Sequence, residues 1–237
     1  MTNKQRRKLL YFDNPMAGKR PKIREQALIL EALLQYGDLV TFYRCQEDLE
    51  FSNLKDFELE EYDLLVTNGG DGTLNLVVWG IEQYKTQFPE AKIPPLIYVP
   101  TGSTNDFGRS LGLSFDPVMA IQDSLNGEEV LLDIGMANER PFVYVAAFGA
   151  FVETAYETSR EMKLALGHLA YLIEGIKSLP TIEPIPARIS WNDQVLEDEF
   201  IFGAFINSHS VGGILEFDED IVDLSDGKFE LLLIRRA

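Results

Sequence analysis

The run Asn68-Gly69-Gly70-Asp71-Gly72-Thr73 follows an apolar stretch, Tyr62-Asp63-Leu64-Leu65-Val66, and precedes Leu74-Asn75-Leu76-Val77-Val78-Trp79, which can be helical. Three glycines around one carboxylate make a strand-to-helix turn that a phosphate can approach closely. Without Cβ atoms the backbone reaches left-handed conformations and can aim N–H groups at an anion, while the following helix offers the positive end of its dipole. Asp71 would then sit within reach of a phosphate-bound magnesium ion. The same hexapeptide can also be an ordinary tight turn capped by Asp or Thr, so the surrounding chain has to decide.

Residues 8–12 read as a strand. Residues 23–36 carry Ile23, Ala27, Leu30, Leu33 and Leu34 at helical spacing, with Gly37 placed to end the helix. Strands at 39–43, 62–67 and 95–99 and a helix at 74–84 continue the alternation, which implies a mostly parallel, layered α/β sheet. In such sheets ligands gather outside the carboxyl ends of the strands. Three glycine-bearing loops fall at that kind of position: 13–19, 68–73 and 100–106. Val130-Leu131-Leu132 reads as a short strand ending at Asp133. Beyond it, strand-like runs at 142–147, 187–191, 199–206 and 229–234, with one helical segment near 166–179, describe a β-rich second domain. The expected division is 1–135 and 136–237.

At 237 residues and 46% hydrophobic content the chain can bury substantial cores. The net charge of -17 argues against nucleic acid, whose binding requires clustered Lys and Arg. No apolar run approaches the ~18 residues of a membrane-spanning helix, and the basic start is followed by too short an apolar run for a signal peptide, so a cytoplasmic protein is expected. One cysteine (Cys45) and two histidines (His168 and His209) leave little for thiolate or imidazole clusters. Any metal should be hard and oxygen-bound.

Asn14 and Ser103 can hydrogen-bond nucleotide oxygens, and Gly18, Gly69, Gly70, Gly72 and Gly102 let the backbone come close. Lys19 either neutralises phosphate or is a solvated loop lysine; Thr73 either offers its hydroxyl to phosphate or metal or caps a helix. Asp133 is an acid at a strand end or a turn cap. Asp106 can cap a helix beginning at Phe107, with Arg109 paired nearby. In Asp223-Leu224-Ser225-Asp226-Gly227-Lys228, the turn is either a plain Asp-Gly hairpin or a hard-cation site combining the Asp226 side chain with backbone carbonyls.

At its three loops the chain resembles the lipid kinases of the diacylglycerol kinase catalytic family, particularly the soluble bacterial branch. The residues that carry the likeness are Asn14-Pro15-Met16-Ala17-Gly18-Lys19, Gly69-Gly70-Asp71-Gly72-Thr73-Leu74-Asn75 and Pro100-Thr101-Gly102-Ser103-Thr104-Asn105-Asp106-Phe107-Gly108-Arg109. It continues through Leu132-Asp133-Ile134-Gly135 and Leu166-Gly167-His168-Leu169-Ala170-Tyr171 into Asp226-Gly227-Lys228-Phe229. The Gly-Gly-Asp-Gly-Thr piece is shared with NAD kinases, whereas the loop with Asn105-Asp106-Phe107 and the late Asp-Gly pair favour the lipid kinases.

The resemblance implies an N-terminal layered α/β domain of the NAD kinase/diacylglycerol kinase fold and a β-sandwich lipid-substrate domain. It implies ATP and Mg2+, with Asp71 organising magnesium and phosphates and Asp133 in an Asp-water-magnesium network joining the domains. Pro15, Asn75 and Asn105 join the nucleotide-binding set, Cys45 stands near a nucleotide contact, and a structural magnesium is held by Asp226 with the carbonyls at Asp223 and Lys228. The expected reaction moves the γ-phosphate of ATP to a lipid hydroxyl, diacylglycerol foremost, at a membrane surface to which the protein is peripheral; a homodimer is left open. An NAD kinase and an ATP-binding regulatory protein without transfer are the alternatives.

Leu76 stands where the family commonly has Glu, Ala17 where serine is frequent and Ser103 where threonine is frequent. The family's late Asp-Gly-Glu, whose glutamate is proposed as general base, has no counterpart, so the chain is expected to be a fragment or a form with impaired catalysis.

Overall fold

The computed structural model describes residues 7–14, 23–37, 39–44, 52–149, 183–212, 215–218 and 220–235. Leu9 and Tyr11 point to one side of strand β1 (Lys8–Asp13), Leu10 and Phe12 to the other, and all four are buried. A strand buried on both faces belongs in the interior of a sheet with cover on each side. β1 accordingly pairs in parallel with β2 (Leu39–Arg44) and with β3 (Leu64–Gly69), and β3 pairs in parallel with β4 (Leu96–Pro100), giving the order β2-β1-β3-β4.

Helix α1 (Ile23–Tyr36) and helix α4 (Pro117–Asn126) cover one face. Ile29, Ala32, Leu33, Ala120 and Ile121 pack there on Leu9, Tyr11, Leu64, Val66, Ile97 and Val99. The opposite face carries α2 (Asp71–Gln87), whose Val77, Ile81 and Tyr84 pack on Leu10, Phe12 and Leu65. Leu54 and Leu59, from the 3-10 turns Ser52–Asp56 and Leu59–Glu61, complete that layer. The Tyr84 hydroxyl secures the second turn, donating to Glu60 Oε2 at 2.8 Å and accepting from the Leu59 N–H at 3.2 Å.

α1 has the span that its spacing predicts. Gly37 ends it for a packing reason, since a Cβ there would lie 1.8 Å from Leu9 Cδ1. Around the glycine signature the boundaries shift. β3 runs on through Asn68 and Gly69, and α2 begins at Asp71 rather than Leu74, so Gly70 alone separates strand from helix. α4 was not anticipated, although Asp116 accepts hydrogen bonds from the Val118 and Met119 N–H groups and Pro117 occupies the first turn.

Residues 130–132 are not a strand. They lie in an irregular segment with Val130 67% and Leu131 92% exposed, and no described strand pairs with them. Three apolar residues without a partner cannot satisfy their backbone in a ladder.

The chain divides into two compact units at Val143/Tyr144. The hairpin of β5 (Gly135–Ala137) and β6 (Arg140–Phe142) goes with the first unit, because Arg140 lies over the Trp79 ring and the Val143 N–H donates to Asn75 on α2. The strand expected over 142–147 is thus the end of β6, a bend, and β7 (Val145–Gly149).

In the second unit β9 (Gln194–Ile206) is the axis of an antiparallel sheet. β8 (Ile185–Trp191) pairs with its first half, and β7 and β12 (Glu230–Arg235) flank its second half. Phe202, Ala204 and Ile206 form its buried face with Val145 and Leu232, and β10 (Ser210–Val211) and β11 (Leu215–Glu216) make a short ribbon. The helical segment expected near 166–179 and Cys45 lie outside the described residues. Among the described residues no helix is long and apolar enough to cross a membrane.

Leu65 seats α2, and hence the glycine junction, against the sheet. Leu65→Ala is expected to lower the stability of the first unit by about 2 to 5 kcal/mol, read from its urea-denaturation midpoint; a change under about 0.5 kcal/mol would contradict this packing.

Candidate active site at the glycine loops

β1, β3 and β4 are parallel, so Asn14, Gly70 and Thr101 follow three strands at the same edge of the sheet. The chain leaves β1 toward one face and β3 toward the other, which opens a crevice between their carboxyl ends. Asn68 lines that edge. Its Nδ2 donates to the Tyr11 hydroxyl at 3.0 Å, and the Thr101 hydroxyl donates to its Oδ1. Burial pushes the Tyr11 phenol up to about 12, so it stays protonated. Thr101 also donates its N–H to the Gly69 carbonyl at 2.8 Å, which continues the β3–β4 ladder into the third loop.

The second and third loops touch backbone to backbone. A Cβ on Gly102 would lie 2.4 Å from Gly70 Cα and 2.6 Å from Asn105 Oδ1, while one on Gly70 would lie 3.1 Å from Gly102 Cα. Asn105 is buried in the left-handed region, at φ 54°, ψ 49°. There its side chain accepts from the Gly102 N–H at 2.7 Å and donates to the Gly102 carbonyl at 3.2 Å, closing the loop on itself.

Asp71 locks the pair. Its Oδ2 accepts from the Asp106 N–H at 2.9 Å, and its Oδ1 from the Phe107 N–H at 3.1 Å and the Tyr98 hydroxyl at 3.4 Å. The carboxylate at the start of α2 thereby caps α3 (Asp106–Ser110), the duty that the sequence suggests for Asp106 itself. Arg109 lies over the Phe115 ring at 5.2 Å. Burial raises the Asp71 carboxyl to about 6, against the opposing pull of the two backbone donors and with a further push from the neighbouring Asp106 charge.

The other residues named from the sequence divide between these loops and separate places. Asn14 is buried and donates through Nδ2 to Thr73 Oγ1 at 3.0 Å, so the first strand's end is fastened to the first turn of α2. Thr73, itself buried, packs against Gly69, where a Cβ would lie 2.5 Å from its side chain. Ser103 is exposed on the third loop. Asn75 faces the β5–β6 hairpin, and Asp133 is half-buried in the irregular segment before β5. Pro15, Gly18 and Lys19 lie outside the described residues. Tyr11, Tyr98 and Thr101, which organise the site, were not singled out from the sequence; the available signal was a tyrosine hydroxyl inside an apolar strand, which needs a buried partner.

Asp223, Asp226 and Lys228 form a turn of the second unit. Asp223 Oδ1 accepts from the Ser225 N–H and hydroxyl, both at 2.9 Å. Asp226 Oδ1 accepts from the Lys228 N–H at 2.9 Å and its Oδ2 pairs with Lys228 Nζ at 3.0 Å, a contact that lowers the Asp226 pKa. Gly227 adopts φ +75° to make the turn. Nearby, burial and the charges of Asp226 and Asp223 raise the Glu230 carboxyl. Among the described residues no three His, Cys, Asp or Glu side chains cluster as metal ligands.

An open parallel sheet with interlocked glycine loops at its carboxyl edge defines an α/β ligand-binding protein. Comparison with known proteins gives the family. The model of the diacylglycerol kinase catalytic domain matches residues 8–137. The diacylglycerol kinase of Staphylococcus carnosus is 33% identical over 236 residues, covering 99% of this chain and 74% of the relative. That of Bacillus subtilis is 30% identical over 236 residues, covering 98% and 75%. A crystal structure of a diacylglycerol kinase from Bacillus anthracis shares the fold, with a TM-score of 0.74 at 24% identity over 97% of this chain and 74% of that one. The chain belongs to the diacylglycerol kinase catalytic family, a family of lipid kinases, and is a kinase-type phosphotransferase.

Two expectations follow from the loop geometry. Gly102→Ala should cost about 1 to 3 kcal/mol through overpacking against Gly70 and raise amide exchange in both loops; unchanged exchange would show that the loops are not in contact. Because the folded state holds the Asp71 proton more tightly than the unfolded chain, the stability this group contributes is present below the ordinary carboxylate pKa and is lost as pH rises through about 6. Relative to Asp71→Asn, the wild-type protein should therefore lose on the order of 3 kcal/mol across that window, measured by paired urea titrations; a pH-independent difference would contradict the burial of the charge.

Proposed function

We propose that the protein uses ATP with magnesium to phosphorylate a lipid hydroxyl, with diacylglycerol as acceptor and phosphatidic acid as product. Gly72 carries the reading. It is the second residue of α2, and beyond its chain neighbours and its own helix backbone no atom of the described residues lies within 4 Å of where its Cβ would be. Packing among the described residues therefore gives no reason for glycine here, whereas Gly70 and Gly102 are required by each other. Close approach of an anion to the helix N-terminus does give one.

In this reading the N–H groups at the start of α2 and the backbone of Gly70 and Gly102 would cradle the phosphates, with Asn14, Pro15, Gly18, Lys19, Gly69, Thr73, Ser103 and Asn105 completing the wall. Magnesium would neutralise charge developing on the transferred group. Asp71 serves the reaction by holding the third loop against the second, with both oxygens already accepting hydrogen bonds. The turn at Asp223, Asp226 and Lys228 would suit a second hard cation once Lys228 Nζ leaves Asp226 Oδ2, since carboxylate and carbonyl oxygens are its preferred donors. The lipid would be met at a membrane surface.

Gly72→Ala tests the reading without disturbing the fold. The variant should keep the wild-type stability within about 0.5 kcal/mol, while its affinity for ATP with magnesium, measured by calorimetry, falls about tenfold or more. Unchanged affinity would remove the phosphate from this helix end. With [γ-32P]ATP and a panel of lipids in mixed micelles, the full-length protein should label diacylglycerol; label on NAD and not on lipid would overturn the acceptor assignment.

A further inference from the structure

The third glycine loop is held at both ends, and the hold at its start uses a side chain that the core does not require. Leu64, Val66 and Asn68 are alternate residues of β3 and share the α1/α4 face, where Leu64 and Val66 are core. An apolar residue at 68 would continue that face. Asn68 instead carries an amide into it, 3% exposed, beside a Tyr11 phenol that is 1% exposed. A buried amide is costly unless it is hydrogen-bonded. This one is bonded on both sides: Nδ2 donates to Tyr11 on β1, and Oδ1 accepts from the Thr101 hydroxyl just past β4.

Thr101 is thereby attached to β3 twice, through its hydroxyl and through its N–H on the Gly69 carbonyl. At the far end of the loop the Asp106 and Phe107 N–H groups rest on Asp71. Between the two attachments stand Gly102, packed on Gly70, and the exposed Ser103. The bonds between Asn105 and Gly102 fix the shape of the loop, while its place against the second loop depends on the two ends. All of these residues belong to the first unit.

We propose that Asn68 and Thr101 are positioning residues for phosphate binding: the buried amide sets where the third loop begins, and so where Gly102 and Ser103 meet the nucleotide, without either residue touching it. The inference rests on the reading of the protein as an ATP-dependent kinase whose phosphates lie on these loops. Hydrogen bonds weaken steeply with misalignment, so a loop whose start drifts presents its donors poorly even though the chain is folded. A fully satisfied buried network supplies the rigidity, because breaking the bond to Thr101 leaves a buried amide oxygen without a partner.

Two other roles make different predictions. A Thr101 hydroxyl lying on phosphate would act independently of Asn68, so the losses from removing each would add. A bond that serves stability alone would leave ATP affinity unmoved in any variant that folds. Positioning gives coupled losses, since the two residues act through one bond.

The experiment uses full-length Thr101→Val, Thr101→Ser, Asn68→Leu and the Thr101→Val/Asn68→Leu double variant, with calorimetric binding of ATP with magnesium and, without nucleotide, amide exchange at Gly102. Thr101→Val should weaken ATP binding about tenfold and speed Gly102 exchange about tenfold. Thr101→Ser, which keeps the hydroxyl, should restore both. Asn68→Leu should weaken binding as Thr101→Val does, and the double variant should bind within about twofold of either single. Should Asn68→Leu fail to fold, Gly102 exchange in Thr101→Val separates the roles by itself, because a hydroxyl that serves only as a phosphate ligand has no effect on the nucleotide-free loop. Unchanged ATP affinity or unchanged Gly102 exchange in Thr101→Val, or additive losses in the double variant, overturns the assignment. If the wild-type protein binds no ATP, the underlying kinase reading falls instead, and the exchange measurement, which needs no nucleotide, tells the two failures apart.

Discussion

A single buried carboxylate holds the carboxyl edge of the parallel sheet together. Asp71 stands at the first residue of α2 and receives the first two N–H groups of α3, so two helices that start from different strands are joined at their N-termini by one side chain. Each partner alone would be unfavourable: the acid loses hydration, and the helix start has donors without acceptors. Together they satisfy one another, and the raised pKa near 6 records how much hydration is still missed.

That bond requires the loops to be close, and the glycines make closeness possible. Gly70 and Gly102 meet where any side chain would collide, and Asn105 takes up a left-handed backbone to hold Gly102 in place. Gly72 is different, since nothing described crowds it. One motif therefore contains glycines with two physical purposes, internal contact and external access. Only their surroundings separate them.

The sheet beneath explains why the loops can be held so tightly. Alternate residues of β1 and β3 are buried in separate cores, one under α1 and α4 and the other under α2, so neither strand can slip without exposing both sets. Asn68, bonded to Tyr11 and to Thr101, ties this order to the third loop just past the last ladder pair, and Asn14 bonded to Thr73 carries it into α2. The parallel α/β unit, the β-rich character of the second unit and the family were readable from strand alternation and loop motifs, because both are local patterns in the chain. The role of Asp71 as a cap for α3 was not, since its partners lie 35 and 36 residues away.

By itself the sequence determined which segments alternate as strand and helix, where the glycine loops fall, and what family the chain resembles, since periodicity, turn chemistry and motif spacing act over a few residues. Tertiary structure decided how those residues are used. It made Asp71 a brace between loops, turned Asn75 toward Val143, buried Thr73 on Asn14 and left 130–132 out of any strand. The reason is that a polar atom's role follows from the donor or acceptor that packing brings to it. Those partners come from strands and loops distant in the chain, where local spacing carries no information about them.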